Sequence, residues 1–214
     1  MWDGHWSRGA AERVQRLAPQ VDRFIGNLRD AGALVVHCPS DTMPFYKDSP
    51  ARIRMATTPR VTLPPEVPRP DPPLPVDASD GGSDTGETAM EAVWTRQHPA
   101  IRIDESQDGI SDDGAEIYAF LQYTHRTVVL LVGVHTNFCI LNRSFGIKQL
   151  VRWGLTVYLV RDLTDSMYNP ARPPYVSHEA GTRLITDYVS KFWCPTILSK
   201  DVTIVPNPME EGMS

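Results

Sequence analysis

The 214-residue chain is 41% hydrophobic and 22% charged, enough apolar content for one domain with a sizeable core. A net charge of −5 without a dense Lys/Arg stripe argues against nucleic acid as a partner, and no apolar run approaches the roughly 20 residues of a membrane span. "MWDGHWSRGA" holds no apolar leader and the three cysteines (Cys38, Cys139, Cys194) lie far apart, which predicts a reducing, cytoplasmic compartment rather than a disulfide framework.

Residues 8–31 predict a helix. Val14, Leu17, Val21, Phe24 or Ile25, and Leu28 recur at spacings of three and four as one apolar stripe, and Gly32 ends it. "ALVVHC" at 33–38 predicts a short buried strand. Residues 39–92 then change character: eight prolines fall between Pro59 and Pro75, followed by "DASDGGSDTGET". This predicts a long irregular excursion of the kind that is functional or disordered. "AVWT" (92–95) reads as a short strand, and a helix over about 114–123 is capped by Asp112 or Asp113.

The second half alternates more plainly. "TVVLLVG" (127–133) is a fully apolar strand, and a helix over about 137–152 closes at Trp153-Gly154. "LTVYLV" (155–160) is a strand and 161–175 a loop. A helix covers 177–191, with Ser177 as N-cap and Glu179 in its first turn. "TILS" (196–199) and "VTIV" (202–205) are strand-like. Apolar strands alternating with helices predict an α/β fold: a doubly wound, mostly parallel sheet with helices on both faces. One domain spans 1–214, with the excursion at about 39–92.

Cys139 stands just past the carboxyl end of the 127–133 strand, where ligands bind in open α/β sheets. In the first turn of a helix it meets free N–H groups that favour a thiolate and can hold an oxyanion. Spacing alone leaves open whether it is a nucleophile or one more small core residue, because free cysteine is often buried.

"LLVGVHTNFCILNRSFGIKQLVRWGLTVYLVRDLTDS" resembles the isochorismatase-like cysteine hydrolase superfamily, which includes nicotinamidases and related amidases. The matching residues are Gly133, Val134, Thr136, Cys139, Gly154 and Asp162. The resemblance implies a Rossmann-like three-layer sandwich with Cys139 as nucleophile. It implies a cis Val134–His135 peptide and an oxyanion hole made by the backbone N–H groups of His135 and Cys139. The implied reaction is hydrolysis of a C–N bond in a small molecule through a thioester, with no cofactor required, by a homo-oligomer.

The chain also departs from the family pattern. The family's triad adds an aspartate that ends the first strand, and a lysine. In this alignment the aspartate and its strand fall before Met1, so the expectation is a sheet lacking its first strand in a chain shortened at the N-terminus. Asp3 is a substitute base. One alignment puts Arg96 at the lysine position, and a competing one puts Ser111, Asp112 or Asp113 there. Arginine supplies charge but cannot shuttle a proton. His37 and Asp41 flank the place where nicotinamidases carry metal-binding groups, so a divalent metal there is a secondary expectation. His37, Asp41, Trp94, Thr136 and Asp165 are candidate substrate contacts. The competing reading is a catalytically impaired relative that serves as a binding or scaffold protein.

Overall fold

An unbroken apolar stripe is enough to hold a long helix. In the computed structural model, which describes residues 1–203, helix α1 runs from Arg8 to Asp30. It continues through Pro19, because Val14, Ala18, Val21 and Ile25 stay buried on one face while Pro19 is exposed. The other elements are β1 (Val36–His37), α2 (Pro50–Thr57), β2 (Gly109–Ile110), α3 (Gly114–Tyr123), β3 (Val128–Val134), α4 (Ile147–Arg152), β4 (Thr156–Asp165), α5 (His178–Phe192) and β5 (Thr196–Ile197). Ser7, Ser49, Asp113 and Ser177 cap α1, α2, α3 and α5 through their side-chain oxygens.

All strand pairing between elements is parallel. β4 lies between β3 and β5, and β1 pairs with β2 in a separate small sheet. Along β4 the side chains alternate between two cores. Val157 and Leu159 join Leu150 of α4 and Val189 of α5 on one face, while Val160 joins Ala18, Val21 and Ile25 of α1 on the other. That alternation makes the three-layer α/β sandwich. No helix among the described residues is long and apolar enough to cross a membrane.

Several elements differ from the sequence expectations. The excursion contains a short turn at Met43–Tyr46 and helix α2, signalled by Ser49 and by Pro50 at the first helical position. "AVWT" forms no strand; the nearest pairing is an isolated bridge between Trp2 and Gln97. β4 extends to Asp165, five residues beyond the apolar run. A register shift between Leu131 and Gly133 sets Thr164 opposite Gly133 and Asp165 opposite Val134, so the polar residues continue the pairing. The strand in "TILS" is confined to Thr196–Ile197. Val202 and Thr203 are unpaired in any strand, and 204–205 of "VTIV" lie outside the described residues.

Between β1 and β3 runs a groove of about 320 Å³, lined by Leu34, Val35 and Val36 on one side and by Val128, Leu130 and Val132 on the other. β3 therefore has β4 on one edge and the groove on the other. Its first residues are correspondingly less buried than those of a strand enclosed on both edges, and Val128 is 57% exposed.

Candidate active site

The carboxyl end of β3 carries the sequence signature. Gly133 has φ +97°, a left-handed conformation that a side chain would strain, and its carbonyl accepts a 2.7 Å bond from Thr164 Oγ1. The Val134–His135 peptide is cis. A single π-helical turn, Thr136–Ile140, follows. The N–H groups of Phe138 (3.0 Å) and Ile140 (3.2 Å) both donate to the His135 carbonyl. Thr136 Oγ1 lies 2.7 Å from Thr164 Oγ1 and donates to the Asp165 carbonyl at 2.9 Å. The Asn137 amide donates to the Met167 carbonyl and accepts from the Met167 N–H. Thr136 and Asn137 are buried and pin the turn to the end of β4. Thr136 thus has a structural place rather than the substrate contact expected of it.

The helix expected over 137–152 is broken in two. Asn142 Nδ2 donates to the Asn137 carbonyl (2.9 Å), and the chain turns so that the Gly146 N–H meets the Arg143 carbonyl at 2.7 Å. A Cβ on Gly146 would stand 2.8 Å from the Ile140 carbonyl oxygen and 3.0 Å from that of Cys139, so the turn requires glycine. α4 begins only at Ile147. No long helix stands behind Cys139, and the dipole available to a thiolate is that of one turn.

Cys139 is partly buried and lines a pocket of about 120 Å³ at the site end of the groove, together with Met1, Trp2, His37, Cys38 and Ser40. Ser40 Oγ is buried without a hydrogen-bond partner. Burial pushes the Cys38 thiol up to about 12, so it stays protonated beside Cys139. Arg143 sits one turn past the cysteine: its N–H donates to the Cys139 carbonyl (3.2 Å) and its guanidinium donates to Asp41 at 2.7 Å. Burial opposes the Arg143 charge, but the Cys139 sulfur and Asp41 more than offset it, and the Arg143 pKa is raised.

The other candidates are placed elsewhere. Asp3 accepts from Thr95 N (2.9 Å), Thr95 Oγ1 (2.7 Å) and Arg96 N (3.2 Å), and Arg96 lies 3.8 Å from it and over the Phe45 ring. These two close a loop and do not line the Cys139 pocket. Asp113 caps α3, and Asp112 accepts the Asp41 N–H at 2.9 Å. Ser111 donates to Glu116. Trp94 stacks on Trp2 at 4.5 Å. Asp165 is held by Arg13 Nε (2.8 Å) and His178 Nε2 (2.9 Å), an ion network rather than a substrate contact.

His37 is buried, with Nδ1 at 3.0 Å from Gln97 Oε1 and Nε2 at 2.9 Å from Asp108. Both ring nitrogens are engaged and Asp41 is paired with Arg143, so this pair does not fit a divalent ion. Among the described residues no group of three or more His, Cys, Asp or Glu is arranged to hold one. His135, whose backbone the resemblance places in the oxyanion hole, turns its ring onto His5 at 4.8 Å, edge to face. Burial, then the neighbouring His5, hold the His135 pKa well below its usual value, so the ring is neutral. Arg143 and Ser40 were not singled out from sequence. The signal for Arg143 was its i+4 spacing from Cys139.

Comparison with family models and with curated proteins gives no match. Two solved structures share the architecture. One, described as a candidate isochorismatase from Burkholderia xenovorans LB400, aligns at TM-score 0.51 and 15% identity over 88% of this chain and 73% of that one. The other, described as a cysteine hydrolase from Pseudomonas syringae pv. phaseolicola 1448A, aligns at TM-score 0.51 and 16% identity over 91% of this chain and 80% of that one. The parallel sheet, the helical layers and these two likenesses together give the chain the isochorismatase-like α/β fold.

Proposed function

We propose that this protein is a cysteine hydrolase that cleaves the C–N bond of a small amide, or a related group, through a thioester at Cys139. The observation that carries the reading is the thiol's placement: partly exposed, on a pinned turn past the carboxyl end of β3, lining a small pocket in a fold shared with a cysteine hydrolase.

In this scheme the Cys139 thiolate adds to the carbonyl carbon, and the His135 and Cys139 backbone N–H groups hold the oxyanion. Collapse breaks the C–N bond, and the amine leaves with a proton from water. The hydroxide so formed hydrolyses the thioester, releasing the acid and restoring the thiolate. Arginine keeps its proton throughout.

The test is ammonia release from a panel of small primary amides, with hydroxylamine present to trap acyl-enzyme as hydroxamate. Activity that disappears in Cys139→Ala supports the reading. Activity that persists in that variant refutes it, as does the absence of turnover and of any acyl adduct on the wild type. The Asp3–Arg96 pairing favours a second reading, a binding protein on the same fold, since neither residue reaches the thiol pocket. An alkylation rate at Cys139 equal to that of an ordinary exposed cysteine supports that alternative.

A further inference from the structure

The two sheets share their helical layers but not a hydrogen bond. We propose that the groove between β1 and β3 is a docking site for an extended, apolar peptide segment of a partner protein, which inserts parallel to both strands and joins the two sheets into one.

The layers on either side of the groove are continuous. Phe24 and Ile25 of α1 pack in one cluster with Val35 on the β1 side and with Leu130 and Val132 on the β3 side. Ile117 and Leu121 of α3 pack in another with Leu34 and Val36 and with Val129. β1 and β3 therefore lie in one sheet layer, and the groove is a gap within it. The two strands also run the same way. Ala33 and Val128 line one end of the groove, while His37, Ser40, Gly133 and Val134 line the pocket that continues it at the other.

The walls decide what can fill the gap. The Gly109 N–H donates to the Val35 carbonyl and the Ser111 N–H to the His37 carbonyl, so Leu34 and Val36 turn their backbone groups away from β2 and into the groove. The Thr156 N–H donates to the Thr127 carbonyl, so Val128 and Leu130 turn theirs away from β4 and into the groove. Among the described residues none of these four has a backbone partner; the Val36 carbonyl has only a 3.9 Å contact from the Cys38 thiol. A hydrocarbon ligand would cover both rows of donors and acceptors without satisfying them. A charged ligand finds only Arg126 among the lining residues. An extended peptide meets both rows at once, as in strand insertion into a sheet. Its side chains meet apolar residues on both faces, which calls for a continuous Val, Ile or Leu run without polar alternation.

The experiment is residue-resolved amide exchange, read by NMR, on the full chain with a synthetic peptide holding about six Val, Ile and Leu residues between solubilising lysines. At ten times its Kd the peptide is expected to slow exchange about tenfold at Val36, Val128 and Leu130. The same peptide N-methylated at alternate residues keeps its apolar surface but lacks one row of donors, and is expected to give no protection. Absence of protection by the parent peptide at any concentration up to its solubility overturns the proposal. Equal protection by the methylated peptide overturns it in favour of a site for any apolar ligand. Slow exchange at these three amides before peptide is added also overturns it, because the gap is then filled by the chain itself or by a second copy.

Discussion

Replacing Asp165 by Asn tests whether that residue belongs to the fold or to a substrate. Its carboxylate accepts from Arg13 Nε at 2.8 Å and from His178 Nε2 at 2.9 Å, with only 12% of the side chain exposed. Each such charge-assisted bond contributes about 1.5–3 kcal/mol, and removing one member of a buried ion pair costs about 3–5 kcal/mol because the partners stay buried. At about 2–4 °C per kcal/mol for a chain of this size, Tm falls by roughly 6–20 °C. Burial alone would raise the Asp165 pKa above its ordinary 3.8, but His178 and Arg13 reverse this and lower it. Burial alone would lower the His178 pKa from 6.5, but Asp165 reverses this and raises it. The Asp165 contribution is therefore full above its ordinary value and lost as pH falls through its lowered one. The His178 contribution is full below 6.5 and lost as pH rises through the raised value. The stability gap between wild type and variant, measured by urea titration followed by circular dichroism, is widest between about pH 4 and pH 6.5 and narrows on either side. A gap below about 1 kcal/mol, or one that keeps widening above that window, refutes this account.

Asp108→Ala orphans His37 and the Arg29 guanidinium and lowers stability by about 3–5 kcal/mol by urea titration, whereas chelation by EDTA leaves the wild-type Tm unchanged. Leu159→Ala, at a fully buried site on the central strand, costs about 2–5 kcal/mol; Val128→Ala on the groove side costs less than about 0.5 kcal/mol in the same assay. Gly133→Ala forces a side chain into the left-handed region and lowers stability by about 1–2 kcal/mol. It also brings a Cβ to 3.2 Å from the Met1 side chain, so the alkylation profile of Cys139 should shift with it.

The elements with one dominant signal were legible in the sequence. The Val14, Val21 and Ile25 stripe of α1, the apolar run of β3 and the Ser177 cap of α5 each follow from local chemistry that tertiary packing reinforces. What failed depended on distant partners. β2 is two residues long and exists only because it pairs with β1, the strand expected within 33–38, across more than 70 residues of chain. The polar end of β4 is a strand because the shift beyond Leu131 re-registers it against Gly133 and Val134, which no local period announces. The break after Asn142 needed Asn137 and Gly146 to be read together. At the site, the sequence pointed to Cys139 and its preceding turn. It gave no sign that Asp3 and Arg96 would spend their charges on each other, or that Asp165 would be claimed by Arg13 and His178. Charged groups were visible as letters, but their pairing is a property of the folded surface.

The one-sided pairing of β3 leaves a mark that amide hydrogen exchange would read residue by residue. In a parallel ladder successive N–H groups point to opposite edges. Along Val128–Val132 every second amide is locked onto β4, and the ones between point into the groove. The same strand therefore holds slow and fast exchangers in strict alternation, with opening energies that range from near the global stability down to almost nothing. A strand buried in the middle of a molecule normally exchanges as a unit; this one would exchange as two interleaved sets, and the fast set measures how freely solvent enters the space beside Cys139.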